Sequence, residues 1–350
     1  RQRQMCIRDR TWFSRENGQK AYEMMSCYEG LLELHKVTGN PLYLSVVEKT
    51  VGHIIQEEIN VAGSGSAFEC WYSGRVRQTI PTYHTMETCV TFTWMQLCNR
   101  LLEMTGNSLY ADYMESAIYN ALMASLKADA SQIAKYSPLE GCRHEGEEQC
   151  GMHINCCNAN GPRAFAMIPQ FAYQVKDDCI RVNFYGQSEA DITLPGKKTV
   201  RLKQVTDYPV IDEITLEVGP AKESLFTIAL RIPAWSSLAT VQVNGESVEG
   251  ILQGAYLPVT RKWKAGDRIT VRLDLRARLV EMNQAQAIVR GPLVLARDSR
   301  FNDGFIDETA VVVSKDGYVE LTPVEAPEFA WMTFTAPLIL GPDLEGNSAV

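Results

Sequence analysis

Residues 31–43, LLELHKVTGNPLY, and residues 101–110, LLEMTGNSLY, carry the same signal twice. Each begins with Leu-Leu-Glu, passes a Thr-Gly-Asn turn and resumes with Leu-Tyr. The two turns, at Thr38-Gly39-Asn40 and Thr105-Gly106-Asn107, lie 105 − 38 = 67 residues apart. Tyr22, Met25, Tyr28, Leu32 and Leu34 lead to the first turn with helical spacing, and Trp94, Leu97, Leu101 and Leu102 lead to the second. Glycine at a helix stop takes the left-handed conformation that other residues resist, so each turn has a mechanical reason of its own. The spacing therefore predicts an internal repeat of helical hairpins between about Gly18 and Leu126.

Beyond about Ile168 the period changes. CIRVNFY, ADITLP, EITLEV, LFTIALRIP, VQVNGESV and RITVRLDL alternate apolar and polar residues, with turns such as Asn244-Gly245 and Ala265-Gly266-Asp267 between them. These are strands of the kind found in sandwiches. All ten cysteines lie at or before Cys179, which marks the same division. The expected fold class is mainly α and then all-β, in separate domains.

The chain has 350 residues, 45% hydrophobic and 22% charged, with a formal net charge of −8. That is ordinary globular composition. An acidic chain without a basic stripe is a poor partner for nucleic acid or an anionic membrane, and no apolar run reaches the roughly 18 residues of a membrane helix. The opening RQRQMCIRDR lacks an initiator Met and an apolar core and shares no pattern with the rest of the chain, so residues 1–10 are set aside as a leader foreign to the fold. The natural protein is expected to begin well upstream.

Three clusters between the helices carry the chemistry: GSGSAFECWYSG (63–74), YHTMETC (83–89) and GMHINCCNANGPR (151–163). Glu87 and Cys89 can face one ion only if a helix begins at about Cys89, because two positions apart within a helix splay by about 200°. Cys156 and Cys157, being adjacent, need an irregular backbone to do the same, and Asn158, Asn160, Gly161 and Pro162 are expected to supply it. One Glu with three Cys would suit zinc, while free cysteines are also common as small buried apolar residues. Cys142, His144, Cys150 and His153 form a rival set, and Cys142 with Cys150 could instead be a disulfide. AGSGSAF matches no phosphate-loop pattern. Trp71, Tyr72 and Tyr83 are of the type that stacks on sugars, or simply packs.

With METC, YADYMESAIYNAL, CCNANGPR and RGPLVLA in this order from Glu87 to about Ala296, the chain resembles glycoside hydrolase family 127, the β-L-arabinofuranosidase type. The resemblance implies an (α/α)6 barrel followed by antiparallel β-sandwich domains. Residues 11–170 would be the C-terminal part of that barrel, 171–275 a sandwich and 276–350 a second, incomplete one. It implies zinc held by Glu87, Cys89, Cys156 and Cys157, with Cys156 as nucleophile. The acid/base falls on Glu69 when aligned from Gly63-Ser64; aligned on Ala67-Phe68 it would fall on Ser66, which cannot donate usefully. Glu115 and Tyr136 correspond to sugar-contacting positions, and the histidines of the early helices have no counterpart here. The implied function is a retaining glycoside hydrolase acting on an oligosaccharide or plant glycan. The alternative is a carbohydrate-binding or structural zinc protein without turnover.

Overall fold

The computed structural model describes residues 18–72, 74–79, 82–149, 151–282, 285–301 and 310–339. The expected leader and Cys150 lie outside them. The chain divides into two compact units. The first runs to Lys176 and also takes in Ile180–Phe184 and Ala229–Pro233; the second comprises the remaining strands.

The first unit opens with a short strand β1 (Gln19–Lys20), then helices α1 (Ala21–Thr38) and α2 (Pro41–Glu57). Loops and a two-residue strand β2 (Cys70–Trp71), which pairs with β1, lead to α3 (Thr88–Thr105). Then come α4 (Leu109–Ala117), continued by a wide turn at Ile118–Leu122, and α5 (Cys156–Phe171). The repeated turns agree atom by atom. Gly39 and Gly106 take φ of 67° and 71°, and each N–H donates 2.8 Å to the carbonyl four residues back. The Asn40 and Asn107 side chains cap the following helices at 3.0 Å each, accepting from Leu42 N and Leu109 N. Thr38 and Thr105 hydroxyls bond back to Leu34 O and Leu101 O at 2.6 and 2.7 Å.

Helix α3 is buried from Thr88 to Met95 and again at Leu97, Cys98, Leu101 and Leu102. A helix apolar on nearly every side belongs at the centre of its unit. It packs against α1, α4 and α5. Helical spacing does not hold throughout, because the described residues between 58 and 87 are loops, the strand β2 and a short 3-10 turn at Arg75–Gln78. There Gly63 is required: at φ +75° a Cβ would lie 2.4 Å from the Ala117 backbone nitrogen. That close approach fixes the loop onto α4.

In α5 the structure corrects one expectation. Asn158, Asn160, Gly161 and Pro162 are helical, not irregular. The irregularity that frees the two cysteines lies one step earlier, at Asn155, where φ −130° and ψ 176° are extended. Asn155 accepts from Cys157 N at 3.1 Å and Asn158 accepts from Asn155 N at 2.8 Å, a reciprocal cap that starts the helix at Cys156.

The strands beyond are antiparallel. β3 (Tyr173–Lys176), β4 (Cys179–Val182), β5 (Ser188–Leu194), β6 (Lys198–Val205), β7 (Glu213–Pro220), β8 (Ser224–Ile232), β9 (Thr240–Val243), β10 (Glu246–Ser247), β11 (Ala255–Trp263) and β12 (Asp267–Arg272) build two sheets. One has the order β10-β9-β12-β7-β6-β5 and the other β11-β8-β4-β3. In the first, Val200, Leu202, Ile214, Leu216, Val218, Ile269 and Val271 are buried at alternate positions, as their sequence period requires. A further sheet joins Leu293–Val294, Ala285–Arg290, Ala277–Met282 and Tyr318–Val319.

Candidate metal and catalytic site

Two helix starts converge. Glu87 is the residue before α3, with non-helical dihedrals of φ −54° and ψ 132°, and Cys89 is the second residue of that helix. Cys156 and Cys157 are the first two of α5. Thr88 ties the first start down, its N–H donating to Lys135 O at 2.9 Å and its hydroxyl to Ala134 O at 2.8 Å. Unpaired N–H groups and the dipole at helix N-termini favour anions, so thiolates and a carboxylate gathered there are in a receptive field.

The donor atoms of Glu87, Cys89, Cys156 and Cys157 all lie within 4.8 Å of one another, and among the described residues this is the one such group of three or more. The Cys89 and Cys157 sulfurs are 3.2 Å apart, and Glu87 Oε1 lies 3.5 Å from Cys156 Sγ and 3.7 Å from Cys157 Sγ. Asn160 Nδ2 donates to Cys89 Sγ at 3.2 Å, and Arg163 holds the Asn160 side chain at 3.0 Å. Glu87, Cys89 and Cys157 are buried, while Cys156 is half-buried. Hydrogen bonds from the Cys157 and Cys89 thiols pull the Cys156 thiol well below its ordinary range, and the same sharing pushes Cys157 up. Burial, then the nearby Glu69 charge, raises the Glu87 carboxyl to about 8.

Glu69 sits in a strained segment. Ser66, Phe68, Glu69 and Met86 have φ of 78°, 49°, 64° and 52°, in the left-handed region that costs about 1–3 kcal/mol for each non-glycine residue. The strain is held by Phe68 N donating to His84 O at 2.7 Å and by paired bonds between Ala67 and Cys70 at 3.1 and 2.9 Å. The Glu69 carboxylate accepts from Lys135 Nζ at 2.7 Å, from the Tyr136 hydroxyl at 2.9 Å and from Lys20. Burial raises its pKa, but these donors outweigh burial and hold it at about 2. Glu69 is therefore ionised at neutral pH.

Tyr136 is thus beside Glu69, and its backbone bridges to Glu87. Glu115 is 1% exposed and pairs with the wholly buried Arg231 at 2.7 Å. Arg231 also binds Asp112, and its Nε donates to Asn183 O at 2.5 Å. In the rival set, His144 stacks on Tyr83 with centroids 3.9 Å apart, and His153 pairs with Glu148 at 2.8 Å. Cys142 is exposed and Cys150 is outside the described residues. Trp71 is wholly buried and packs in the core; Tyr72 lies under the Arg77 guanidinium; Tyr83 is the one of the three that lies near Tyr136.

Lys135, Lys20 and Arg231 take part without having been singled out by sequence, and Asn160, expected only to bend the backbone, instead donates to Cys89. Lys135 adjoins Tyr136, which was singled out, in AKYSPL. For Lys20 and Arg231 the sequence carries no signal, since both reach their partners across long separations.

A family model described as the β-L-arabinofuranosidase GH127 catalytic domain matches residues 17–170, and one described as the GH127 middle domain matches residues 179–275. A non-reducing end β-L-arabinofuranosidase of Bifidobacterium longum subsp. longum is 23% identical over 300 residues, which are 79% of this chain and 45% of that protein. A solved structure described as a GH127 β-arabinofuranosidase superposes with a TM-score of 0.78 at 25% identity, covering 91% of this chain and 53% of its own. A GH127 β-L-arabinofuranosidase from Geobacillus stearothermophilus T6 does so with a TM-score of 0.78 at 22% identity, over 93% of this chain and 54% of its own. The chain spans about half the length of the relatives it matches.

Proposed function

Because the chain belongs to glycoside hydrolase family 127, we infer that it is a retaining glycoside hydrolase that releases L-arabinofuranose-type sugars from plant-derived glycans. The observation that carries this reading is the placement of Cys156: one thiol of a gathered Glu/Cys set, left half-buried while its three companions are buried. On the same reading the helices are part of an (α/α)6 barrel over 11–170, followed by β-sandwiches over 171–275 and 276–350. The repeated turn supports the first, and the alternating burial of the strands supports the second.

Zinc is the metal this donor set fits best, since thiolates select it and four protein donors close a tetrahedron. A zinc ion with S and O bonds of about 2.3 and 2.0 Å spaces its donors about 3.5–3.8 Å apart. The four donor atoms, all within 4.8 Å of one another, are close enough to be drawn onto one ion. Glu87, Cys89, Cys156 and Cys157 would hold it. When bound, zinc supplies the positive charge that keeps the thiols ionised at neutral pH.

Cys156 Sγ attacks the anomeric carbon with its lone pair as the bond to the leaving oxygen breaks. That oxygen keeps the bonding electrons and takes a proton from Glu69, leaving the sugar on sulfur with inverted configuration. Water then attacks the same carbon, gives its proton to Glu69 and expels the thiolate. Two inversions give retention. Tyr136 orients the Glu69 carboxylate and is assigned to a sugar hydroxyl; Glu115, the other expected sugar contact, is instead buried and held by Arg231, which gives it a structural role. Lys20 and Lys135 hold Glu69 as a base, ready for the water step; for the first step the incoming substrate displaces them, and the carboxylate, freed of both cations, takes up from bulk water the proton that it then donates.

That lysine grip favours a second reading, a carbohydrate-binding or structural zinc protein without turnover. Assay of the full-length protein with a chromogenic β-L-arabinofuranoside separates the two. Release of chromophore that stops on chelation and returns with zinc is expected. Saccharide binding with no release, at full zinc occupancy, would leave only the second reading.

A further inference from the structure

The segment that carries Glu69 also carries a group of half-exposed rings to which the thiolate chemistry gives no role. Phe68 is 47% exposed and stacks on His84 with centroids 5.0 Å apart. Tyr83, 36% exposed, lies 3.7 Å from His84 on one side and 3.9 Å from His144 on the other. These four rings form one run. It joins the acid in two ways: Phe68 precedes Glu69 in the chain, and Tyr136, whose hydroxyl donates to Glu69 at 2.9 Å, meets the His84 ring edge-on at 5.1 Å.

The backbone keeps Phe68 out at a cost. A large aromatic residue at φ 49° is strained, and the bond from its N–H to His84 O at 2.7 Å holds it there. Relaxation would let the ring leave the run. The borders are polar, with the Tyr83 hydroxyl turned to Glu147 at 3.4 Å and the Thr82 hydroxyl 3.3 Å from His84 Nδ1. The Tyr83 and His84 faces are taken up by stacking, so the run offers a sugar the exposed Phe68 ring for its C–H face and the hydroxyl, imidazole and carboxylate groups along the Tyr83 edge for its hydroxyls.

We propose that Phe68, Tyr83 and His84 form a leaving-group subsite, which binds the saccharide attached to the departing oxygen. The proposal rests on Glu69 being the acid/base. A group that protonates the glycosidic oxygen has the departing sugar beside it, and the rings adjoin Glu69 through Phe68 and Tyr136.

Full-length wild type, Phe68→Ala, Tyr83→Ala and the double variant are compared on two β-L-arabinofuranosides, a methyl glycoside and a disaccharide. The expected result is that kcat/KM on the disaccharide falls about tenfold more per ring removed than it does on the methyl glycoside, as lost stacking predicts. Equal losses on both substrates, or none on the disaccharide, would overturn the subsite. If wild type turns over neither substrate, the glycosidase reading fails. The subsite is then decided by titrating the disaccharide against intrinsic fluorescence: binding weakened at least tenfold in the double variant sustains it, and binding unchanged or never present sinks it.

Discussion

At the residue scale two adjacent thiols are differently placed. Cys157 is buried among Cys89, Glu87 and the Lys135 carbonyl, whereas Cys156 is half-buried. Cys157→Ser is expected to lose both metal and turnover. Cys156→Ser is expected to abolish turnover while keeping part of the metal, since the three buried donors remain. Elemental analysis beside a turnover assay checks the pair; identical metal and activity losses in both would remove the distinction. Lys135 makes the second case. Replacing it with Met removes a cation beside Glu69, which disfavours the charged carboxylate, so the Glu69 pKa should rise from about 2 toward the ordinary 4.5. For stability the sign is that of a depressed carboxyl. Its contribution is present above about 4.5, is lost as pH falls toward 2, and should shrink in Lys135→Met. Carboxyl NMR titration and acid unfolding curves measure the two effects, and an unmoved Glu69 titration would show that Lys135 does not hold it.

At the element scale, helix starts place the ligands. Asn155→Ala removes the side-chain acceptor for Cys157 N and half of the reciprocal cap with Asn158, and is expected to cost about 1 kcal/mol. Metal affinity should fall with it, because the cap sets where Cys156 and Cys157 point. Thermal melts and a metal-competition titration check this; a lowered melting point with unchanged affinity would detach the cap from the site. Much of this scale is legible in the sequence. The Thr-Gly-Asn turns, the helix beginning within one residue of Cys89, and the strands with their alternating burial are all local signals, written in consecutive residues. The reciprocal cap is hidden because Asn, Gly and Pro together in CCNANGP look like a loop. Asn155 accepts from within the helix, Gly161 packs against Ile133 with no room for a Cβ, and the chain stays helical through Pro162. The grip of Lys20 and Lys135 on Glu69 is illegible, since it depends on side chains 49 and 66 residues from it meeting in space.

At the scale of the whole molecule, the strand segment Ala229–Pro233 belongs with the helical unit, where Arg231 ties it to α4. Its wholly buried guanidinium serves Asp112 and Glu115 together. Arg231→Met leaves two buried carboxylates without their cation, and should destabilise the protein by about 3–5 kcal/mol. Chemical denaturation measures it, and a loss under about 1 kcal/mol would mean the carboxylates find other partners. The proposed glycoside cleavage by a thiolate would likewise be a property of the assembled chain, because Cys156 comes from α5 and Glu69 from the strained loop after α2. The most direct test is to trap the glycosyl intermediate. The full-length protein is incubated with a mechanism-based β-L-arabinofuranosyl inactivator and mapped by peptide mass spectrometry. The adduct is predicted on Cys156 and is predicted to disappear in Cys156→Ser; a sugar found instead on Glu69 or Glu87, or one that persists in the Cys156→Ser protein, would contradict the thiolate mechanism.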